Sequence, residues 1–243
     1  MPIKGERPAL RRRHRSARRH LSASQQRLHA QAVRRCFLAS PLAWRSQRIA
    51  AYLSVDGEVN LRPLLDGLAR MGKLLALPVI ERSLQLGERE GPSPRMKELQ
   101  LGEREGPSPR MKELQPGERE GPTPRRNSNR MSFFVHRLEA PLTRNRFGIE
   151  EPPLGAPWIN TRALDLVLAP LVAFDDQGNR LGMGGGFYDR HFGNLPQCLR
   201  PLLVGVAHEV QCADALPAAP WDVPLDGILT EAGWRSFSPR MGF

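Results

Sequence analysis

The sequence predicts an α/β protein, a single domain over residues 1–243 with a mostly parallel central sheet flanked by helices. Three observations carry this expectation. Apolar runs at 48–53 (RIAAYL), 74–80 (LLALPVI), 164–174 (LDLVLAPLVAF), 202–207 (LLVGVA) and 228–230 (ILT) read as strands, and the third suits a strand covered on both faces. Stretches of helical spacing fall between strands, an alternation that favours crossover connections and a parallel sheet. The length of 243 residues is enough chain for one sizeable core.

Residues 1–20 are basic and offer few apolar side chains to that core. Ser22, with Gln25 three residues on, is a capping-box pattern. It opens a predicted helix reaching Leu38, with Leu28, Ala32, Val33, Cys36 and Phe37 on or near the buried stripe, and Pro41 ends it. Asn60 caps a second helix, in which Leu61, Leu64, Leu65, Leu68 and Met71 recur at helical spacing before Gly72 stops it. Pro78 should weaken or bend strand 74–80 near its end. A 15-residue unit, LQLGEREGPSPRMKE, then fills 84–98 and recurs unchanged at 99–113, and a decayed copy starts at Leu114. Each full copy has two leucines and one methionine to bury, too little to offset an ordering cost of roughly 1–2 kcal/mol per residue. The segment 84–127 is therefore expected to be a low-complexity, mobile surface insert that interrupts the domain. Residues 132–138 (SFFVHRL) read as a returning strand, followed by a Pro-rich loop containing RFGIEEP at 146–152.

The net charge of +11 suggests a polyanionic partner until its distribution is followed. Residues 1–35 carry eleven Lys/Arg against Glu6 alone, whereas the other 208 residues carry 25 bases and 24 acids. The excess belongs to one arm. A nucleic-acid-binding protein using that arm is the alternative from another class, and its binding would fall steeply with salt. No RNA-binding motif accompanies the arm, so no nucleic-acid partner is expected. An Arg-rich, acid-poor start also suits an organelle-targeting segment. Cys36, Cys198 and Cys212 are scattered and odd in number, which argues against a disulfide framework or a zinc site and favours a reducing compartment. Apolar runs reach only about ten residues, too short to span a bilayer. The expected location is cytoplasmic, with no membrane partner.

The chemistry concentrates at 175–190, DDQGNRLGMGGGFYDR. Gly182, Gly184, Gly185 and Gly186 follow an apolar strand, where glycines let main-chain N–H groups close on an anion. A helix starting near Phe187 would aim its positive end at the same place. The segment has neither the Lys-Ser/Thr of a Walker loop nor the GxGxxG spacing. A bare glycine cluster is as readily a tight turn. The flanking Arg180, Tyr188, Asp189 and Arg190 shift the reading towards a phosphate site.

RLGMGGGFYDR at 180–190, after the strand LAPLVAFD, resembles the signature of the 5-formyltetrahydrofolate cyclo-ligases, also called methenyltetrahydrofolate synthetases. AYLSVDGEV (51–59), LPVI (77–80), FGIEEP (147–152) and WDVPLDGIL (221–229) stand in that family's order, so the resemblance covers nearly the whole chain outside the repeats. It implies a NagB/RpiA/CoA-transferase-like fold. It also implies ATP-dependent conversion of 5-formyltetrahydrofolate to 5,10-methenyltetrahydrofolate, releasing ADP and phosphate through a phosphorylated formyl intermediate. ATP, the co-substrate, would be bound by Arg7 and Arg11 and by Arg180, Leu181, Gly182, Met183, Gly184, Gly185, Gly186, Phe187 and Tyr188. Within that set, Arg180 and the amides of Gly184, Gly185 and Gly186 would be catalytic, stabilising charge on the transferred group. Leu53, Glu58, Met183 and Phe187 would contact the folate, polyglutamated or not, and Asp189 and Asp222 would hold Mg2+. A monomer is expected.

The chain departs from the family's pattern at Arg7, where lysine is usual, and at Phe187, where tyrosine is commoner. The insert also lengthens a connection that is short in the family. Outside the resemblance, Glu58 reads as a solvated turn residue. His208 reads as packed or hydrogen-bonded, Cys198 and Cys212 as inert thiols, and most arm arginines as a solvated face. Asp189→Asn is expected to leave thermal stability near normal.

Overall fold

The structure is a computed structural model, and it describes residues 6–81, 130–144, 150–153 and 155–242. The repeat insert and the first half of FGIEEP lie outside the described residues. Helices α1 (Glu6–Arg19), α2 (Ala23–Leu38) and α3 (Pro41–Arg45) lead to strand β1 (Arg48–Ala50). Helix α4 (Arg62–Arg70) crosses to β2 (Leu74–Glu81), which pairs with β3 (Arg130–His136). Three two-residue strands follow, β4 (Thr143–Arg144), β5 (Glu150–Glu151) and β6 (Trp158–Ile159). Next come β7 (Leu166–Pro170), the hairpin of β8 (Ala173–Phe174) and β9 (Arg180–Leu181), and helix α5 (Phe187–Phe192). Strands β10 (Leu202–Val206), β11 (Gly227–Thr230) and β12 (Gly233–Ser236) finish the chain.

Eight strands form one sheet in the order β12-β11-β10-β7-β1-β2-β3-β6. Its middle, from β11 to β2, is parallel, and the antiparallel pairs lie towards the two edges. Both faces are covered. Ile49, Leu166, Leu168, Val204 and Val206 face a core shared with Val33 and Phe37 of α2 and Leu64, Leu65 and Leu68 of α4. Their neighbours Ala50, Val167, Ala169 and Leu203 face a second core with Phe133 and Phe192. This period-2 division explains the unbroken apolar runs, because each successive side chain enters one core or the other.

Several boundaries differ from expectation for identifiable reasons. The run 164–174 is two strands. β7 stops at Pro170, and Ala173 and Phe174 turn away to pair with Leu181 and Arg180. The strand expected at 48–53 stops at Ala50, and the chain then leaves the sheet as a loop carrying Tyr52 and Glu58. Pro78 does not end β2. Pairing with β1 stops at Ala76, so among the described residues Pro78 is paired with β3 alone and its missing N–H costs no hydrogen bond to β1. Leu28, expected on the buried stripe of α2, is exposed, and Ala30, Val33 and Phe37 are the residues that face the core. The capping box at Ser22 and Gln25 forms as expected.

Residues 6–19, read as a solvated arm, form a helix instead. Its buried positions are His14 and Arg18, and Leu10 is partly buried against Ala173, Leu181 and Leu216, so hydrophobic periodicity has little to register.

Candidate active site

After β1 the chain continues to β2 on one side of the sheet, whereas β7 pairs on the other side of β1 and leads on to β10 and β11. The order therefore reverses between β1 and β7. In open parallel sheets ligands bind beyond the C-terminal ends of the strands at such a switch point. Here the loop 51–61 leaves β1, and Leu171 and the β8–β9 hairpin leave β7, at that crevice.

Arg18 of α1 spans the crevice. Its side chain is fully buried. Nε donates to the Asp56 carbonyl at 2.9 Å, Nη2 to Asp56 Oδ2 at 2.8 Å and Nη1 to the Leu171 carbonyl at 3.1 Å. Arg15 and Arg19 bind the same Asp56 carboxylate. Burial pushes the Asp56 carboxyl up, but hydrogen bonds from Arg15, Arg19 and Arg18 outweigh it and hold it down at about 2. Asp56 has φ of 56°, a left-handed conformation unusual outside glycine, held here by those three arginines.

Glu58 lies two residues on and is buried, contrary to its reading as a solvated turn residue. Its Oε2 accepts from the Val55 N–H at 3.1 Å, and Oε1 is 3.6 Å from Arg18 Nη1. Loss of water raises its carboxyl to about 7, with the Val55 bond and Arg18 opposing the shift. Tyr52 and Tyr188 lie within electrostatic reach, and burial raises both phenols. The native state thus binds a proton at Glu58 that the unfolded chain, at an ordinary carboxyl value of 4.5, has released. The stabilisation is full below pH 4.5 and is lost as pH rises through about 7. Asp56 acts in the opposite sense in a separate window, with its stabilisation lost as pH falls from 3.8 through about 2. We expect Glu58→Gln to reduce the stability difference between pH 5 and pH 8 by up to about 3 kcal/mol, at about 1.4 kcal/mol per pKa unit. Urea titrations at the two pH values check this, and an unchanged difference would show that Glu58 is ionised throughout.

The glycine-rich segment closes the crevice after β9. Gly184 has φ of 103°, which an L side chain rarely adopts. A Cβ on Gly185 would lie 2.4 Å from the Phe187 ring. Helix α5 begins at Phe187 as expected but has only six residues. Arg11 Nε donates to the Gly182 carbonyl at 2.9 Å and passes close to Gly184. Burial, then Arg7, lowers the Arg11 pKa, while Asp222 opposes this. Of the two predicted arm residues, Arg11 is therefore in contact with the predicted loop.

Arg180 is buried, its Nη2 donating to Asp189 Oδ1 at 2.6 Å and its guanidinium carbon 5.6 Å from the Tyr188 ring centroid. Asp189 Oδ1 also accepts from the Val223 N–H at 3.1 Å, which brings it to the residue following Asp222. Asp222 Oδ2 accepts from the Ala219 N–H at 2.8 Å and pairs with Arg7, which also donates to the Pro217 carbonyl. Among the described residues these bonds fall on one oxygen of each carboxylate. A hard divalent cation such as Mg2+ takes carboxylate, phosphate and water oxygens, so the donor set fits it.

The folate candidates are less closely grouped. Leu53 packs against the core beneath α2 and α4, Phe187 packs against the other core, and Met183 is exposed. Arg18, Asp56 and Tyr52 were missed by sequence reasoning, and the one legible signal was the Asp-Gly turn beside Glu58. His208, read as packed, is fully buried within hydrogen-bonding distance of the Gly57 carbonyl, and burial holds it down at about 4. Arg7, Arg11, Arg15, Arg18 and Arg19 all bind the protein itself, more of the arm than its composition suggested, whereas Arg12, Arg13, Arg27 and Arg35 are exposed. Among the described residues no helix is long and apolar enough to cross a membrane.

The sequence model described as the 5-formyltetrahydrofolate cyclo-ligase family matches residues 3–120 and 120–231. The 5-formyltetrahydrofolate cyclo-ligase of Escherichia coli K12 is 30% identical over 217 residues, covering 89% of this chain and 95% of the relative. That of Haemophilus influenzae is 32% identical over 216 residues, with 88% and 92% covered. The Aquifex aeolicus 5,10-methenyltetrahydrofolate synthetase solved by NMR superposes with a TM-score of 0.68 at 27% identity, covering 95% of this chain and 92% of that one. The Mycoplasma pneumoniae synthetase, at 19% identity and a TM-score of 0.59, shares the fold, with 93% and 99% covered.

Proposed function

The chain belongs to the 5-formyltetrahydrofolate cyclo-ligase family, a family of ligases, and from that membership we propose that it converts 5-formyltetrahydrofolate and ATP to 5,10-methenyltetrahydrofolate, ADP and phosphate. In the proposed reaction the formyl oxygen attacks the γ-phosphorus and the bond to ADP breaks. N10 then bonds to the formyl carbon and gives up its proton, and phosphate leaves with the formyl oxygen. Such a transfer asks for alignment and charge neutralisation rather than a protein nucleophile. The observation that carries the reading is the bond from Arg11 to the Gly182 carbonyl, which sets a guanidinium against the glycine-rich turn that follows buried Arg180, a kind of turn whose N–H groups can take an anion.

In this reading Arg11, Arg180 and the amides of Gly184, Gly185 and Gly186 hold the triphosphate, Arg180 being positioned by Asp189. Arg7 reaches the same region through Asp222. Glu58, raised by burial to about 7, is partly protonated near neutral pH and in that form can donate a hydrogen bond to the folate, whereas an ionised carboxylate would only accept. Mg2+, held by Asp189 and Asp222, would supply neutralisation of the phosphate charge. Cytoplasmic location and a monomeric state belong to the same proposal. Absorbance of methenyltetrahydrofolate formed from 5-formyltetrahydrofolate, with and without ATP and Mg2+, tests it. No product in the complete mixture refutes it.

Two further results are expected. Arg11→Ala should raise the KM for ATP about tenfold or more and that for folate little, since a charge-assisted bond is worth about 1.5–3 kcal/mol. An unchanged KM for ATP removes Arg11 from the site. Glu81 and Arg130 are paired in the β2–β3 register, so residues 82–129 join the two strands of a hairpin whose ends are already fixed. Deleting 99–113 should leave turnover within a few-fold. Loss of both folding and turnover would make that repeat structural.

A further inference from the structure

We propose that His29, His208 and Glu231 form a binding site for one divalent transition ion of the Zn2+ class. His29 comes from α2, His208 lies just past β10 and Glu231 directly follows β11, so the topology gathers three distant segments at one corner. His29 Nδ1 lies 2.9 Å from His208 Nδ1 and 3.3 Å from Glu231 Oε1, and the ligand atoms of all three lie within 4.8 Å of one another. Bonds of about 2.0–2.1 Å to one ion set neighbouring ligands about 2.9–3.4 Å apart, so both short separations suit edges of a single coordination shell. Two imidazoles and one carboxylate favour a borderline ion over Mg2+, which prefers oxygen. The site shares no residue with Asp189 and Asp222 and does not depend on the proposed reaction.

The surrounding bonds orient the ligands. His208 Nε2 is 3.2 Å from the Gly57 carbonyl, and a proton carried there leaves the Nδ1 lone pair facing His29. The Glu231 carboxylate accepts from the Glu209 N–H at 3.0 and 3.2 Å. His29 Nδ1, with at most one proton, faces two acceptors, His208 Nδ1 and Glu231 Oε1. An ion in its place satisfies all three ligands together. His208 is fully buried, but the side chains of His29 and Glu231 each keep 18% exposure, which leaves an entry path and room for water as a further ligand. Because Gly57 sits between Asp56 and Glu58, the ion would also brace the turn that carries Glu58.

The test uses the full chain, free of a histidine tag and stripped with a chelator, titrated calorimetrically with ZnCl2 in excess Mg2+. One saturable Zn2+ per chain is expected, with a rise in melting temperature on binding. His29→Ala, at a partly exposed position, should abolish that saturable binding. Glu231→Gln, which keeps the shape, should weaken it at least about tenfold and decides the matter if His29→Ala does not fold. Absence of saturable binding in the wild type overturns the proposal. So does wild-type affinity in the variants, which would place the ion elsewhere, for example at exposed Cys198.

Discussion

Replacing Arg18 by alanine is expected to cost roughly 3–5 kcal/mol of stability, the range for breaking a buried ion pair by removing one partner. Arg18 is fully buried, and its guanidinium binds the Asp56 carboxylate, the Asp56 carbonyl and the Leu171 carbonyl. Truncation leaves the Leu171 carbonyl without this donor and removes the clamp between the loop after β1 and the chain after β7. Arg15 and Arg19 still neutralise Asp56, so the loss should fall at the lower end of the range. Glu58 loses its nearest recorded cation, so its carboxyl should rise further. Urea denaturation measures the first effect. A loss below about 1 kcal/mol would show that Arg18 fills space without clamping the crevice.

Asp189→Asn should lower turnover by orders of magnitude and raise the Mg2+ concentration needed for half-maximal activity, as loss of a metal ligand does. The structure changes the companion expectation about stability. Arg180 is buried and donates to Asp189 Oδ1, and its Nε has no hydrogen bond among the described residues. The amide therefore leaves a buried guanidinium without its counter-charge, at a cost of about 1–3 kcal/mol, rather than the near-normal stability read from sequence. The two effects separate experimentally, because high Mg2+ should restore part of the turnover but not the lost stability. Asp222→Asn should act in the same direction and less than additively with it, as ligands of one ion would. Full activity of Asp189→Asn at low Mg2+ would remove the metal role and leave Asp189 as the residue that positions Arg180.

Strands β1, β2, β3, β7, β10 and β11, helices α2 and α4, the glycine-rich turn and the start of α5 are legible in the sequence because their causes are local. Leu166 through Ala169 alternate between two buried faces, Ser22 meets Gln25 within one helical turn, and Gly184 is needed where φ is positive. The family resemblance points to Arg11, Arg180, Asp189 and Asp222 from the sequence alone. The structure decided what those charges do for one another. Arg18 is one of several arginines in a basic run that reach Asp56, and its full burial and its bond to a carbonyl 153 residues away set it apart from them. Glu58 looked like a solvated turn residue until the switch between β1 and β7 enclosed it. The grouping of His29, His208 and Glu231 likewise depends on α2 packing against β11. Periodicity records where apolar side chains must go, because burying them is favourable almost regardless of partner. A charged side chain is buried only when a specific opposite charge or carbonyl meets it, and that meeting is made by tertiary structure.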